Sequence, residues 1–335
     1  MDQASEVAGR VELLGAEVDL VTCDDVLALI RRVAKSGGKA VVANQNLHSL
    51  YLSRRSPQMA AFYARADLVE IDSMPLVLWG RLMGLATTRA NRCTYLDWRG
   101  CFWNEAAARR WRVFCLGSEP GVASEAARRL SEEWPGVRIE THHGYFDAAP
   151  GSPENQEVLR QINAFQPHVI LVGMGMPRQE VWIGQNLDAI QTGVALSVGA
   201  AFDYEAGVQT AAPRIYGQLC LEWLYRLAHD PRRLFRRYMI EPWTLIGPAV
   251  ADLRRYVLDR SPTADAPAPL RAPRPELRVS VENLPGAAQV TEGHGEKAID
   301  RERSPRHEPE SGHRRQLHAR FQPRHGNLQS GASSR

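Results

Sequence analysis

The chain has 335 residues, 44% of them hydrophobic and 24% charged, which is enough material for one large domain or two smaller ones. Its formal net charge of +3 is too small to indicate a nucleic-acid partner, and no apolar window approaches the length of a membrane-spanning helix. The five cysteines show neither a CxxC pair nor zinc spacing, so we expect reduced thiols in the cytosol.

Short apolar runs alternate with helical stretches from Val11 to about Val198. This alternation predicts an α/β fold, with a Rossmann-like parallel sheet covered by helices. Thr22, followed by Asp25, predicts the start of the first helix through a capping box. The predicted central strands are KAVVAN (39–44), ADLVEID (66–72), WRVFCLG (111–117), GVRIETHHG (136–144), HVILVGMG (168–175) and GVALSVG (193–199).

The pattern of the chain changes twice after the last predicted strand. Residues 1–213 carry the α/β pattern, whereas residues 214–260 predict helices broken at Pro231 and Pro242, which we interpret as a helical appendage. Residues 261–335 are rich in Pro, Arg, His, Ser and Glu and poor in large apolar side chains. They predict a disordered tail, because such a segment cannot offset its ordering entropy.

The stretch HVILVGMGMPRQEVW, residues 168–182, joins an apolar run to two glycines and a proline. Gly175 tolerates positive φ and Pro177 suits the first turn of a helix, so the stretch predicts a strand, a tight loop and a helix start. Ligands of open α/β sheets bind at this edge, beyond the carboxyl ends of the strands. A purely structural turn, with Arg178, Gln179 and Glu180 as solvated first-turn residues, is the alternative interpretation.

Polar side chains follow two of the predicted strands. Asp72 comes directly after an apolar strand and suits a general base at the ligand edge, although an Asp just before Pro75 more often caps a helix. Asn44, Asn46 and His48 follow the preceding strand along the chain. They could bind sugar hydroxyls, or they could serve as turn formers.

The appendage concentrates arginines among aromatic side chains. Arg226, Arg233 and Arg236, with Arg232 and Arg237 beside them, have few acidic neighbours to pair with. Guanidinium groups match phosphate oxygens bidentately, so the cluster favours a diphosphate or an anionic lipid surface as its partner. A solvated face of an amphipathic helix is the alternative.

Three motifs, ILVGMGMPRQEVWIGQNL, SVGAAFDYEAG and LEWLYRLAHDPRRLFRRY, begin at residues 170, 197 and 221. In order and spacing they resemble the WecG/TagA/CpsF family of bacterial glycosyltransferases, and the similarity covers about residues 11–240. Asp72 lies where this family has the aspartate of an Asp-Gly pair.

The resemblance implies an inverting, metal-independent glycosyltransferase without a cofactor. Its donor would be a UDP-sugar carrying a hexose, an N-acetylhexosamine or a uronate, and its acceptor an undecaprenyl-diphosphate-linked saccharide. It would serve the synthesis of exopolysaccharide, capsule or a teichoic-acid-like polymer. The resemblance further implies a cytoplasmic protein held at the inner face of the cytoplasmic membrane, an anionic surface, through its appendage, and it allows self-association into a homo-oligomer.

The resemblance also implies roles for individual residues. Asp72 would be the general base that deprotonates the acceptor hydroxyl, and Gln179, in the turn that Gly175 begins, would contact a sugar near the reacting centre. Arg92 would contact a phosphate or sugar group, and Gly175 would belong to the substrate-binding turn. The other substrate-binding positions are occupied by Asn44, Asn46 and the tail arginines Arg226, Arg233 and Arg236.

Four residues depart from the family pattern. Ser73 stands in place of the glycine after Asp72, Asn44 in place of a threonine, Tyr95 in place of a glycine and Ala211 in place of an arginine. The lost cation slightly favours a neutral donor sugar over a uronate. A catalytically inactive membrane-associated scaffold of the same fold and another nucleotide-dependent enzyme are the alternatives, although no dinucleotide-binding fingerprint is evident.

Overall fold

The computed structural model describes residues 9–210, 216 and 222–259, apart from the side chains of 222, 233 and 259. The predicted disordered tail at 261–335, the Ala211 position and the side chain of Arg233 therefore lie outside the described residues. No helix in the described part of the chain is both long enough and apolar enough to cross a lipid bilayer.

Six parallel strands form the central sheet, as the sequence predicts. The strands of the chain are β1 (Arg10–Leu13), β2 (Ala16–Asp19), β3 (Lys39–Gln45), β4 (Leu68–Ile71), β5 (Arg112–Gly117), β6 (Arg138–His142), β7 (Val169–Gly173) and β8 (Gly193–Ser197). The order across the sheet is β4-β3-β8-β7-β5-β6, and all its pairs are parallel. The antiparallel hairpin of β1 and β2 was not predicted.

Helices cover both faces of the sheet, which confirms the predicted α/β fold. One face carries α1 (Cys23–Ser36), α5 (Tyr95–Ala108), α6 (Val122–Glu133) and α9 (Ala201–Glu205). The other carries α2 (Leu47–Ser53), α3 (Pro57–Arg65), α4 (Met74–Leu82), α7 (Pro153–Phe165) and α8 (Arg178–Asn186). Because side chains alternate along a strand, Val113 and Cys115 enter the first core, whereas Phe114 and Leu116 enter the second.

The first helix begins where the capping box was predicted. Thr22 is the N-cap of α1, and its backbone N–H donates to the Asp25 carboxylate at 2.8 Å. The helix ends at Gly37, whose φ of 67° lies in the left-handed region that glycine tolerates. Local sequence therefore fixes both ends of this helix.

The appendage is helical and packs on the second face of the sheet. Its elements are α10 (Glu222–His229), α11 (Pro231–Phe235), a π turn (Arg236–Ile240), a 3₁₀ turn (Glu241–Leu245) and α12 (Ile246–Asp259). Leu245 joins the second core. The buried Asp252 carboxylate accepts the backbone N–H of Leu14 at 2.7 Å and the indole N–H of Trp79 at 2.8 Å. These contacts attach α12 to the hairpin and to α4.

The connections after β3 and β8 diverge. The two strands are neighbours in the sheet, yet β3 leads into α2 on the second face, whereas β8 leads into α9 on the first. Such a divergence opens a crevice beyond the carboxyl ends of the strands, and open α/β sheets bind their ligands in crevices of this kind. Five of the candidate residues lie at or just after the carboxyl ends of β3, β4 and β7: Asn44, Asn46, Asp72, Gly175 and Gln179.

Candidate active site

Asp72 lies immediately after β4, at the carboxyl edge of the sheet. Its backbone N–H donates to the carbonyl of Gln45 at 2.9 Å, and its half-buried carboxylate accepts a 3.0 Å hydrogen bond from the Asn46 amide. The N-cap of α4 is Ser73. Asp72 is therefore not the N-cap of α4, and its carboxylate is held instead by Asn46, which follows β3.

Asn46 has two functions in this arrangement. Its side-chain oxygen accepts the backbone N–H groups of His48 and Ser49 at 3.0 Å each, so it is the N-cap of α2. Its amide NH₂ donates to Asp72. The turn-forming interpretation of Asn46 is therefore confirmed, and the same side chain also reaches the candidate base. Its contact with a sugar remains a prediction.

Asn44 belongs to a buried polar chain that crosses three strands. Ser197 of β8 donates to its side-chain oxygen at 2.9 Å, and its NH₂ donates to Glu70 of β4 at 2.8 Å. Burial, reinforced by the nearby Asp72 charge, raises the pKa of Glu70 well above its usual range. Asn44 therefore links the two sides of the crevice at the β3–β8 junction, and its contact with a substrate remains a prediction.

Gln179 joins two glycine turns. Its side-chain oxygen accepts the backbone N–H of Gly175 at 3.1 Å and that of Gly199 at 3.2 Å. Gly175 has φ of 77°, a value that favours glycine at this turn. Gln179 is only 1% exposed, so the solvated-turn alternative is wrong for this residue. Its amide oxygen is committed to the loops after β7 and β8, and its contact with a sugar remains a prediction.

Glu180, to which no chemical role was assigned from the sequence, is a buried carboxylate. One of its oxygens accepts the Gln179 amide at 2.6 Å, and the other has no hydrogen-bond partner among the described residues. Burial raises the pKa of Glu180 to about 7. The hydrogen bond that the Gln179 side-chain amide donates to Glu180 lowers this pKa and so opposes the shift only in part. The solvated alternative is wrong here too, since Glu180 is fully buried.

Arg92 lies beside the end of β4. It follows a 3₁₀ turn (Arg89–Asn91), forms an isolated bridge with Ile71, and pairs with Asp97 at 2.8 Å. Because Ile71 directly precedes Asp72, this bridge brings Arg92 to the same edge of the sheet as the candidate base. Its contact with a phosphate or sugar remains a prediction.

The tail arginines differ in their surroundings. Arg236 is exposed, and its guanidinium lies 3.4 Å from the Tyr51 hydroxyl. Arg226 and Arg237 are half-buried. Burial lowers the pKa of Arg237, and its repulsion by Arg226 adds to this, whereas its attraction to Asp72 and Glu241 opposes it. Arg237, which the arginine cluster in the sequence includes but to which no role was assigned, is thus attracted to the Asp72 charge.

A hydrogen bond attaches the appendage to the candidate site. His48 on α2 contacts the buried Glu241 carboxylate at 2.5 Å. Burial and the charge of Arg237 lower the pKa of His48, and the hydrogen bond to Glu241 opposes them. Neither His48 nor Glu241 belongs to the motifs that carried the family resemblance. Within the described ranges, no three His, Cys, Asp or Glu side chains are grouped in a way that could hold a metal ion.

Comparison with known proteins gives a consistent result. The sequence profile of the glycosyl transferase WecG/TagA/CpsF family matches residues 11–257. The chain is 28% identical over 236 residues to N-acetylglucosaminyldiphosphoundecaprenol N-acetyl-beta-D-mannosaminyltransferases of Staphylococcus aureus, including those of strains MW2, NCTC 8325 / PS 47 and COL. Each of these alignments covers 68% of this chain and 87% of the relative. The chain belongs to the WecG/TagA/CpsF family of glycosyltransferases.

Proposed function

We propose that this glycosyltransferase moves an N-acetylhexosamine from a UDP-sugar to an undecaprenyl-diphosphate-linked saccharide, with inversion and without a metal ion. The observation that carries the proposal is the position of the Asp72 carboxylate at the carboxyl edge of the sheet, where it accepts a hydrogen bond from the Asn46 side chain. The activity for which the Staphylococcus aureus relatives are named, transfer of N-acetylmannosamine to N-acetylglucosaminyl-diphosphoundecaprenol, supports the substrate class. We assign the reaction to the synthesis of a cell-surface polymer, such as a teichoic acid or a capsule.

In the proposed reaction Asp72 acts as the general base. A hydroxyl of the acceptor sugar attacks the anomeric carbon of the donor from the side opposite UDP. The new carbon–oxygen bond forms as the bond to UDP breaks, the electron pair leaves with UDP, and Asp72 takes the hydroxyl proton. Attack from the opposite side inverts the configuration. The donated hydrogen bond from Asn46 favours the ionised form of Asp72 that this role requires.

The departing UDP needs positive charge, which the appendage can supply. Arg226 lies in α10 and Arg236 in the π turn that directly precedes the 3₁₀ turn of Leu245, and Arg233 lies between them in the sequence. Fixed guanidinium groups stabilise a diphosphate through bidentate, charge-assisted hydrogen bonds. This chemistry supports a leaving-group role for the appendage that does not depend on a metal.

We further propose that the appendage docks on the inner face of the cytoplasmic membrane. A row of exposed large side chains, here called the apolar stripe, repeats every three or four residues from the 3₁₀ turn through α12. The apolar stripe consists of Trp243, Ile246, Val250, Leu253 and Val257, each at least 40% exposed. An exposed apolar face with arginines nearby suits the interface of an anionic bilayer, and the lipid-linked acceptor resides there.

The test is transfer itself. Purified full-length chain would be incubated with each UDP-N-acetylhexosamine and a short-chain polyprenyl-diphosphate N-acetylglucosamine, with and without EDTA, and UDP release would be measured. We expect release that needs the acceptor, survives EDTA and is lost in Asp72→Asn. Release abolished by EDTA would contradict metal independence. No acceptor-dependent release from any donor would contradict the proposed function and favour the inactive scaffold.

A further inference from the structure

His48 has one ring nitrogen that is engaged and one that is free. The residue lies in the first turn of α2, and its Nδ1 is 2.5 Å from a carboxylate oxygen of Glu241. Nε2 has no hydrogen-bond partner within the described ranges, and the fold does not seal it from solvent, since 18% of the side chain is exposed. His48 therefore offers one unused hydrogen-bonding nitrogen to a ligand.

Glu241 determines what kind of group this free nitrogen is. An ionised carboxylate can only accept hydrogen bonds, so the proton of the His48 ring must lie on Nδ1. In the neutral ring Nε2 then keeps its lone pair and is an acceptor. Burial is the largest influence on the pKa of His48 and lowers it, which favours this neutral ring. The free nitrogen therefore suits a ligand that donates an N–H or O–H group.

The ring of His48 is held from two sides. The ring of Tyr51, one turn further along α2, lies nearly parallel to it, at 12°, with 6.4 Å between the centroids. Glu241 is buried and begins the 3₁₀ turn, whose last residue, Leu245, joins the second core. A side chain that is already fixed loses little rotamer freedom when a ligand binds, so the free nitrogen is preorganised.

His48 lies close to the candidate base along a path of two hydrogen bonds. Its backbone N–H donates to the side-chain oxygen of Asn46 at 3.0 Å, and the NH₂ of Asn46 donates to Asp72 at 3.0 Å. His48 and Asp72 follow the carboxyl ends of β3 and β4, which are neighbours in the sheet. Both residues therefore border the same edge of the sheet, where a saccharide would meet Asp72.

We propose that Nε2 of His48 accepts a hydrogen bond from a hydroxyl of the substrate saccharide, and that Glu241 is the positioning residue that orients the ring. The inference rests on the proposed glycosyl transfer and adds two residues to it, both outside the motifs of the family resemblance. An ionised diphosphate offers only acceptor oxygens and cannot pair with a lone pair, whereas a sugar carries several O–H donors. The hydroxyl belongs either to the acceptor sugar, which meets Asp72, or to the donor sugar beside it.

The experiment compares ligands with and without the sugar, by titration calorimetry of the full chain. One pair is each UDP-N-acetylhexosamine against UDP, and the other is farnesyl-diphosphate N-acetylglucosamine against farnesyl diphosphate. Within a pair, the ratio of affinities is the contribution of the sugar. This comparison measures binding and does not depend on whether transfer occurs.

Two substitutions separate the two ring nitrogens of His48. His48→Asn keeps an amide nitrogen at the position of Nδ1, so it can still donate to Glu241, but it has no atom at the position of Nε2. His48→Gln places its terminal amide near the position of Nε2 and has no donor at that of Nδ1. His168→Asn is the matched control, because His168 is half-buried, has a bonded Nδ1 and lies at the opposite edge of the sheet.

We expect His48→Asn to reduce the sugar contribution about 3- to 10-fold in one pair, the effect of one neutral hydrogen bond, with UDP and farnesyl diphosphate bound as before. His48→Gln should recover part of this loss. A loss in the UDP pair assigns His48 to the donor sugar, and a loss in the farnesyl pair assigns it to the acceptor sugar. If His48→Asn does not fold, Glu241→Ala, which releases the ring, takes its place with the same expected loss.

Three results would overturn the inference. They are an unchanged sugar contribution in both pairs, a loss shared equally by the sugar-free ligands, and a loss in His48→Gln but not in His48→Asn. The last of these would mean that His48 only attaches the appendage to α2. A native chain that binds both sugar ligands but transfers no sugar would contradict the proposed function and leave the binding result intact.

Discussion

Asn46 donates a 3.0 Å hydrogen bond to Asp72, while the oxygen of the same amide accepts two backbone N–H groups of α2. Because the oxygen is committed to the helix, the NH₂ end must face Asp72. The orientation of the candidate base is thus coupled to the N-terminus of α2. His48, in the first turn of that helix, forms a hydrogen bond with Glu241. The N-terminus of α2 is therefore also connected to the appendage.

Asp72→Asn should lower transfer by about 10²- to 10⁴-fold, the range by which a general base accelerates a reaction. UDP affinity and the free energy of unfolding should stay unchanged, since asparagine has the same shape and Ser73 is the N-cap of α4. Transfer rate, UDP titration and denaturant unfolding measure the three quantities. Asp188→Asn, at a carboxylate whose side chain is 82% exposed, is the control. A loss of activity that merely follows a loss of stability would contradict the catalytic role.

Asn46→Asp should separate the two functions of Asn46. Aspartate caps helices as well as asparagine does, so stability should be retained, but its carboxylate would face that of Asp72. Two adjacent carboxylates favour the protonated state, so the acid limb of the pH–rate profile should move to higher pH. Asn46→Ala, which removes the cap as well, should cost about 1 kcal/mol of stability. An unmoved pH profile in Asn46→Asp would show that Asn46 does not influence the base.

Gln179→Ala should destabilise the fold by about 1–3 kcal/mol, because two backbone N–H groups and one Glu180 oxygen lose their partner. Denaturant unfolding of this variant and of the exposed Gln191→Ala gives the comparison. Activity lost without any loss of stability would instead support the predicted sugar contact and argue against a purely structural role.

Five strands of the sheet, β3, β4, β5, β7 and β8, could be predicted from sequence because they are buried along nearly all their length and are therefore largely apolar runs, whereas β6 at the edge of the sheet is partly exposed. The hairpin of β1 and β2 could not. Its two strands have four residues each and contain charged side chains, so they lack such a run. The position of Asp72 at the ligand edge followed from its place after a strand. The hydrogen bond between Asp72 and Asn46 could not be predicted, because it depends on β3 and β4 being neighbours in the sheet.

The hydrogen-bond partners of the other site residues could not be predicted from sequence either, because they also depend on which strands are neighbours in the sheet. Ser197 and Asn44 are 153 positions apart and meet only because β8 lies beside β3. Arg236 and Arg237 lie in a π turn, a local geometry that α-helical periodicity in the sequence does not predict.

Glu180→Gln should remove part of the pH dependence of stability. Burial raises the pKa of Glu180 from 4.5 to about 7 in the folded chain. The folded state therefore binds a proton more tightly than the unfolded state. The stability from this proton is fully present below pH 4.5 and is lost as the pH rises through about 7. Relative to the native chain, the neutral variant should gain stability across this window, by about 3 kcal/mol at its upper end.

Urea unfolding at pH 5 and pH 8 tests this expectation, and the difference between variant and native chain is the quantity compared. Glu119→Gln, at an exposed glutamate, should show no such difference. An equal difference at both pH values would mean that Glu180 titrates alike in the folded and unfolded chains.

Replacing Trp243 and Ile246 of the apolar stripe together by serine should reduce binding to vesicles of phosphatidylglycerol and phosphatidylcholine. The side chains are 71% and 51% exposed, so the folded protein loses no core contact, whereas the membrane-bound state loses buried apolar area. We expect the partition coefficient, measured by vesicle sedimentation, to fall about tenfold or more. Val208→Ser, at a 67% exposed side chain after α9, is the matched control.

Transfer to a water-soluble short-chain acceptor should be unchanged in the double variant, because membrane docking concentrates the enzyme at its lipid-linked acceptor and takes no part in the chemistry. Equal partitioning of native chain and double variant would show that the apolar stripe is not the surface that meets the bilayer.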